Sequence, residues 1–414
     1  MRTVFFDASR LFIRGSRFSP TGIDRVVLAY ARWLTGRTDI DLRPVITFGG
    51  RLWEAPRALL AGIVEGTALF HAAGRGDEIV DESWSALLDV LAGAQAMPSG
   101  LRAKPVTTQL PARVMWHAAI LARSIPKLRP VLSLRDALYV NVSHTGLGDP
   151  TVLPRLMAKG ARNIVLVHDL IPIEHPEYCA PGARGRHIRR LENILGHTAL
   201  AIVNSQTTGN SLAAYAKQMA RPCPQIKVAY LGVEPPFISR PEPIPSARPY
   251  FVHVGTLEAR KNLAFLLAIW RRLYEEQGAQ APYLILVGRR GWENEAVVDQ
   301  LDRSEAAKHL VHEVNDLQDS QLARLIAGAR ALLAPSFTEG YDLPVMEALS
   351  LGTPVIASDI PVHRELAGAS ILIDPLDGAG WLRAIKAAKP DRGPLFSAPT
   401  WQDHFAALAD TPLG

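Results

Sequence analysis

The chain has 414 residues, 48% hydrophobic and 21% charged, with 45 Lys/Arg against 40 Asp/Glu for a formal charge of +5. That length exceeds one ordinary domain and the composition is globular, so two domains with separate cores are expected and a disordered chain is excluded. Two cysteines, Cys179 and Cys223, cannot build a disulfide framework. Asp7 and Arg10 interrupt the apolar start, unlike a signal peptide, and no stretch approaches the ~20 apolar residues of a membrane span. The expectation is a cytoplasmic protein.

In chain order, the first half holds strand-like runs at Thr3–Asp7, Pro44–Phe48, Leu138–Val142, Asn163–His168, Ala199–Asn204 and Lys227–Tyr230. The second half holds them at Tyr250–Val254, Tyr283–Val287, Leu310–His312, Ala331–Ala334, Pro354–Ser358 and Ile371–Asp374. Several are continuous apolar runs, as for strands buried on both faces of a parallel sheet. Amphipathic helices lie between them, the first with Ile23, Val26, Val27, Tyr30 and Leu34 on one stripe. Six strands per half predict an α/β protein of two doubly wound domains. Residues 50–135 break the pattern, with helix-like stretches at Ser83–Leu91 and Val114–Arg123. Prolines 235, 236, 241, 243, 245 and 249 place a stiff linker at about 236–248, between domains at 1–238 and 246–394. A proline- and arginine-rich patch, Lys389–Pro399, precedes a last short helix at Trp401–Leu408.

The charge is uneven. Residues 1–240 carry 29 Lys/Arg and 18 Asp/Glu, a net of +11, and residues 241–414 carry 16 and 22, a net of −6. Either solvated charges fall unevenly by chance, or the first half faces an anionic partner.

In an open α/β sheet, ligands bind beyond the carboxyl ends of the strands, which singles out four loops. Ser19–Arg25 feeds the first long helix, and Gly22 allows close backbone approach there. Val167–Pro172 offers His168, either a proton carrier near neutral pH or a satisfied structural histidine. Gly255–Asn262 carries Arg260 and Lys261 where a helix dipole disfavours cations; they suit a diphosphate or are simply solvated. In Leu332–Asp359 a strand ends at Pro335 and a helix runs from near Pro344 to Gly352, leaving N–H groups at its start that can seat a phosphate. Glu339 in the loop and Glu347 in the first helical turn could each accept a pair of sugar or ribose hydroxyls, or be charges with no ligand. No GxGxxG, GxxxxGK[ST], metal-type Cys/His cluster or G-x-S-x-G elbow occurs.

Together these loops are recognisable. Glu339-Gly-Tyr-Asp-Leu-Pro-Val-Met-Glu347 resembles the E-x7-E signature of retaining glycosyltransferases of family 4, which have the GT-B fold. Ala334-Pro335-Ser336 before it and Gly352-Thr353-Pro354-Val355 after it stand as in that family, and Gly255–Asn262 resembles its phosphate loop. His168-Asp169-Leu170-Ile171-Pro172, Asn204-Ser205-Gln206-Thr207 and Gly232-Val233 fall in family order.

The resemblance implies two Rossmann-like domains facing each other across a cleft. The first (1–238) would bind the acceptor, the second (246–394) the nucleotide-sugar, and residues 395–414 would cross back to the first. It implies that Glu339 holds donor-sugar hydroxyls and Glu347 the ribose. Gly255, Thr256 and Gly340 would belong to the donor site, with the diphosphate on the backbone amides of Tyr341, Asp342 and Leu343 and on Arg260 and Lys261, approached by Gly22. Val314, Asn315 and Leu317 would border the base, and His168 would lie beside the transferred sugar. Thr256 stands where many relatives carry Arg, and Tyr341-Asp342 where Phe-Gly is common, adding a carboxylate beside the sugar. No cofactor or metal is expected.

GDP-mannose is the donor that the HDLIP and GTLEARKN phrasing suggests, for a surface glycan built on a lipid-linked acceptor. Asp169 and the group Arg184, Arg186, Arg189 and Arg190, with Arg113, Arg123, Lys127, Arg129 and Arg135, would face that acceptor or an anionic membrane surface. The alternatives are a nucleotide-sugar epimerase, a phosphorolytic enzyme, or a non-catalytic nucleotide-sugar-binding subunit. The aromatics are not interleaved with the basic residues as a nucleic-acid surface requires.

Overall fold

The computed structural model describes residues 1–14, 21–72, 82–93, 127–292, 294–368, 370–389 and 396–414. Ser19, Pro20, Arg113, Arg123 and the Val114–Arg123 stretch lie outside the described residues, as does 390–395 within the proline-rich patch.

The first sheet has strands β1 (Arg2–Asp7), β2 (Ile40–Phe48), β3 (Arg51–Glu54), β4 (Arg129–Pro130), β5 (Leu138–Asn141), β6 (Arg162–Val167), β7 (Leu200–Val203) and β8 (Gln225–Val228). Their order is β4-β3-β2-β1-β5-β6-β7-β8. The sheet is parallel except for β3 and β4, which pair antiparallel at one edge. This corrects the expected six strands: β3 and β4 arise from 50–135, where no apolar run announces them. Both are short, β4 at the sheet edge and β3 next to it, and they bury few side chains.

The second sheet has β9 (Tyr250–Val254), β10 (Tyr283–Val287), β11 (Val311–Val314), β12 (Leu332–Ala334), β13 (Val355–Ser358) and β14 (Ile371–Ile373). It is all parallel, in the order β11-β10-β9-β12-β13-β14. Buried runs such as Tyr283–Val287 are covered on both faces: Ile285 packs in one core cluster and Leu284 and Leu286 in another. β1 divides the same way, with Val4 and Phe6 on one side and Phe5 on the other, the period-2 alternation of a strand.

Between the sheets the chain makes a 3-10 turn at Pro235–Phe237 and then runs without regular structure to β9. The terminal Trp401–Ala406 helix is closed by a capping box, Thr400 with Asp403. It docks on the first domain: His404 bridges the Tyr30 hydroxyl (2.8 Å) and the Tyr230 carbonyl (2.9 Å), and Phe405 stacks on Trp33. Both cysteines are free thiols. Among the described residues, no helix is long and apolar enough to cross a membrane.

Candidate active site

β9 and β12 adjoin, and their next neighbours, β10 and β13, lie on opposite sides; such a switch point opens a crevice beyond the carboxyl ends. Leaving β9, the chain passes Gly255 at φ 149°, where a Cβ would meet Lys261 Cε at 2.9 Å. A 3-10 turn, Ala259–Lys261, and left-handed Asn262 lead into the Leu263–Gln277 helix and fold Lys261 back to a buried position, 6% exposed. Leaving β12, the chain reaches Asp342, at φ 65°, which precedes the Leu343–Ser350 helix with Pro344 in its first turn. Glu347 therefore sits one turn deeper than the sequence spacing placed it.

Charged side chains from these two loops interlock. Lys261 Nζ lies 2.7 Å from Glu339 Oε1 and 3.8 Å from Asp342 Oδ1. Arg260 pairs through Nη1 with Glu339 Oε2 and also donates to the Thr338 carbonyl (2.9 Å) and to Glu258 Oε1 (2.7 Å). Asp342 Oδ2 is 3.0 Å from Nε2 of His363, whose Nδ1 donates to the Ser358 carbonyl at 2.8 Å. Lys261, Glu339 and Glu347 are buried, so none is a solvated surface charge. Most Arg260 donors are committed to protein acceptors, so this guanidinium fixes Glu339 in place. Asp342, expected from the sequence as an added carboxylate beside the sugar, is tied to His363 and Lys261.

The electrostatics follow from burial set against partners. Burial raises the Glu339 pKa, but Arg260 and Lys261 outweigh it and hold the carboxylate below its usual range. Asp342 is likewise held low against burial by Lys261 and His363. Burial favours neutral Lys261, yet Asp342 and Glu339 raise its pKa; burial disfavours His363 imidazolium, yet the Asp342 bond raises it. Glu347 differs. Burial lifts its pKa to about 7, and its partner, Arg25, stands 3.9 Å away and compensates only in part.

Arg25 belongs to the first domain and crosses to the second, gripping Asp319 at 2.6 and 3.0 Å. Asp319 opens the Asp319–Gly328 helix just after Val314, Asn315 and Leu317, which are buried at the end of β11. The segment expected to border the base and Glu347 thus share one side of the crevice. Gly22 starts the Gly22–Gly36 helix, whose first turn is fixed by Asp24 bonding Thr21 N–H (2.9 Å) and pairing with Arg10 (2.6 Å). A Cβ on Gly22 would lie 3.6 Å from Leu343, so two helix starts converge. Thr256 is exposed within the Gly255–Asn262 loop.

His168 is buried, and its Nε2–H donates to the Val142 carbonyl at 2.8 Å. Burial drops its pKa to about 4, which favours the satisfied structural histidine over the proton carrier. Its carbonyl oxygen lies where a Cβ on Gly340 would meet it at 2.5 Å, so residue 340 has no room for a side chain. The Gly340 carbonyl accepts from Ser205 Oγ at 3.0 Å, and the Tyr341 hydroxyl donates to the Leu231 carbonyl at 2.8 Å. The carboxyl ends of both sheets therefore meet around Glu339 and Gly340. Asp169 lies beside this junction, its Oδ1 accepting from Ile171 N–H. Arg184, Arg186 and Arg189 are exposed on the Ala183–His197 helix, whereas Arg190 turns in to His187 at 3.0 Å, so the four do not form one outward patch.

Sequence reasoning missed the structural parts played by Arg25, His363, Glu258 and Glu365. Glu365 accepts from the N–H groups of Gln206 (2.6 Å) and Thr207 (2.8 Å) in the other domain. Glu258 pairs with Arg260 two residues on, but the partners of Arg25, His363 and Glu365 lie far along the chain, and no local pattern links them. An acidic residue facing a helix start across a cleft leaves no spacing signature.

Comparison with known proteins agrees with this architecture. Residues 248–389 match the family model "Glycosyl transferases group 1". The serotype-specific mannosyltransferase WbdA of Escherichia coli is 28% identical over 256 residues, 58% of this chain and 31% of that protein. The O-antigen chain mannosyltransferase B of Escherichia coli is 36% identical over 129 residues, 31% of this chain and 33% of that protein. The chain thus spans about a third of the length of these curated relatives. Sucrose-phosphate synthase from Thermosynechococcus elongatus superposes with a TM-score of 0.58 at 15% identity, covering 98% of this chain and 95% of that one. With these matches on a paired, cleft-facing α/β architecture, residues 248–389 are a glycosyl transferases group 1 domain in a chain of GT-B fold.

Proposed function

We propose that the chain is a retaining glycosyltransferase that moves a sugar from a nucleotide-sugar, GDP-mannose first among donors, to a hydroxyl of a glycan or lipid-linked saccharide in surface-polysaccharide synthesis. The observation that carries this reading is the Lys261–Glu339–Asp342 cluster, buried at the β9/β12 switch point of the second sheet and beside a helix start. The names of the mannosyltransferase relatives support the choice of sugar.

In this reading Lys261 and the N–H groups of Tyr341, Asp342 and Leu343 take the diphosphate, since the first N–H groups of a helix lack intrahelical partners. Glu339, aimed by Arg260, accepts hydroxyls of the donor sugar, and Glu347 those of the ribose. The acceptor oxygen approaches C1 on the face from which the diphosphate departs. The C1–O bond to phosphate breaks with its electron pair on the diphosphate, a new C1–O bond forms, and the acceptor proton passes to the departing phosphate oxygen. Lys261 stabilises the charge that develops, without a divalent metal in this scheme.

A thermal-shift panel of GDP-, UDP-, ADP- and dTDP-sugars tests the reading, because a ligand that prefers the folded state raises the melting midpoint. One nucleotide series, GDP-linked first, is expected to raise it. No shift with any of them contradicts a donor site, and turnover of a nucleotide-sugar without acceptor points instead to an epimerase or phosphorolytic enzyme.

The exposed Arg184, Arg186 and Arg189 are placed in this proposal toward an anionic lipid surface, where each cation contributes about 1 kcal/mol of attraction. Reversing all three to Glu is expected to lower co-sedimentation with phosphatidylglycerol vesicles at least about tenfold; unchanged co-sedimentation contradicts it.

A further inference from the structure

A cavity of about 270 Å³ opens between the two domains beside Glu339. It is smaller than the ~300–1,000 Å³ typical of sites for drug-sized ligands, which suits a single sugar ring. Its walls differ in character. The first domain contributes Asp169, Glu174, Thr207 and Ser211 beside Leu170 and Ile171; the second contributes the ring of Phe337 with Ile360 and Pro361, beside Thr338 and Glu339. Phe337 lies parallel to Tyr178 of the first domain, ring centroids 5.2 Å apart and planes within 4°, so the apolar wall is braced across the cleft.

A pyranose has the same division, with a face of C–H groups and an edge of hydroxyls. Phe337, Ile360 and Pro361 can cover the first. Asp169, whose Oδ1 already takes the Ile171 N–H at 3.1 Å, can accept a hydroxyl through its remaining acceptor capacity.

The charge of the wall narrows the ligand further. Among the described residues, no Lys or Arg lines this cavity. The acids are Asp169, Glu174 and Glu339, and the one imidazole is His175, 3.5 Å from Glu177. Arg260 and Lys261 stand behind Glu339 and are already paired with it. A phosphate in this cavity would face carboxylates with no cation to meet it, a like-charge juxtaposition that acts against the wrong ligand.

The geometry points to an acceptor subsite for a neutral pyranose, one that excludes sugar phosphates. This rests on the glycosyltransferase reading and adds to it the chemical class of the accepting sugar; any lipid diphosphate would lie outside the cavity.

Affinities are to be measured by calorimetry with the full chain, loaded with the nucleoside diphosphate that raises its melting midpoint. The probes are the methyl α-pyranosides of mannose, glucose, galactose and N-acetylglucosamine, and the 6-phosphates of the same sugars. At least one neutral glycoside is expected to bind ten or more times tighter than its 6-phosphate. Glu174→Lys, at an exposed position, is expected to narrow that ratio at least fivefold. Asp169→Asn is expected to weaken the neutral glycoside at least fivefold while leaving nucleoside-diphosphate affinity unchanged. A 6-phosphate that binds as well as its parent, or a ratio unmoved by Glu174→Lys, overturns the inference. Nucleotide binding with no pyranoside binding also overturns it and leaves the proposed function standing; no nucleotide binding removes both.

Discussion

Replacing Lys261 by Ala is expected to lower turnover at least about a hundredfold, the scale on which loss of one preorganised charge-stabilising donor is felt. The ammonium is buried between Glu339 and Asp342 at 2.7 and 3.8 Å, so its charge acts in a site shielded from water, where it counts for more than on a surface. Arg260 cannot replace it, since its donors are committed to Glu258, Thr338 and Glu339. The same substitution strips a partner from two buried carboxylates. Breaking a buried pair costs about 3–5 kcal/mol, with the lower end expected because Arg260 and His363 still serve Glu339 and Asp342. Kinetics are therefore to be read well below the variant's melting midpoint. Turnover within tenfold of wild type in a folded variant removes Lys261 from the chemistry.

Glu347→Gln is expected to raise thermal stability at alkaline pH while weakening nucleotide binding. The Glu347 pKa stands at about 7 in the fold, against an ordinary value of 4.5. Between those values the folded chain keeps a proton that the unfolded chain has lost. Wild-type stability from this group is therefore fully present below about pH 4.5, declines as pH rises, and levels off above pH 7. At about 1.4 kcal/mol per unit of displacement, the penalty at pH 8 is on the order of 3 kcal/mol. Glutamine, which cannot ionise, escapes it. The variant should melt several degrees above wild type at pH 8, and that gap should shrink toward pH 5. Hydroxyl bonds to a carboxylate contribute about 1.5–3 kcal/mol, so nucleoside-diphosphate affinity should fall at least about tenfold. A gap that does not vary with pH contradicts the burial argument; unchanged affinity contradicts the ribose assignment.

The two outcomes share one cause. Glu347 is 3% exposed and faces a cation across 3.9 Å, so its charge lacks close compensation in the ligand-free fold. A ribose edge would supply what is missing. Stability is lost at a position where binding is gained, as is common at functional sites.

Much of this was legible in the sequence. Runs such as Tyr283–Val287 are buried on both faces of a parallel sheet, and that burial writes an uninterrupted apolar signal. Strands β3 and β4, next to and at the sheet edge, escaped because Arg51–Glu54 and Arg129–Pro130 are short and partly exposed, so neither carries a pattern. In the site, Glu339, Lys261 and Glu347 could be named because the loops that hold them are local. The lowered pKa of His168 could not, since it depends on burial and on the Val142 carbonyl 26 residues away. Nor could the commitment of Asp342 to His363, or the reach of Arg25 to Asp319 across 294 residues. Long-range ion pairs are products of packing, and one-dimensional spacing carries no record of them.

The most direct test of the central claim is nucleoside-diphosphate release from the nucleotide-sugar that most raises the melting midpoint, followed with a neutral pyranoside acceptor and with EDTA present. Acceptor-dependent release is expected, unchanged by EDTA and lowered at least about a hundredfold by Lys261→Ala. No release from any nucleotide-sugar, or release that Lys261→Ala leaves intact, would contradict it.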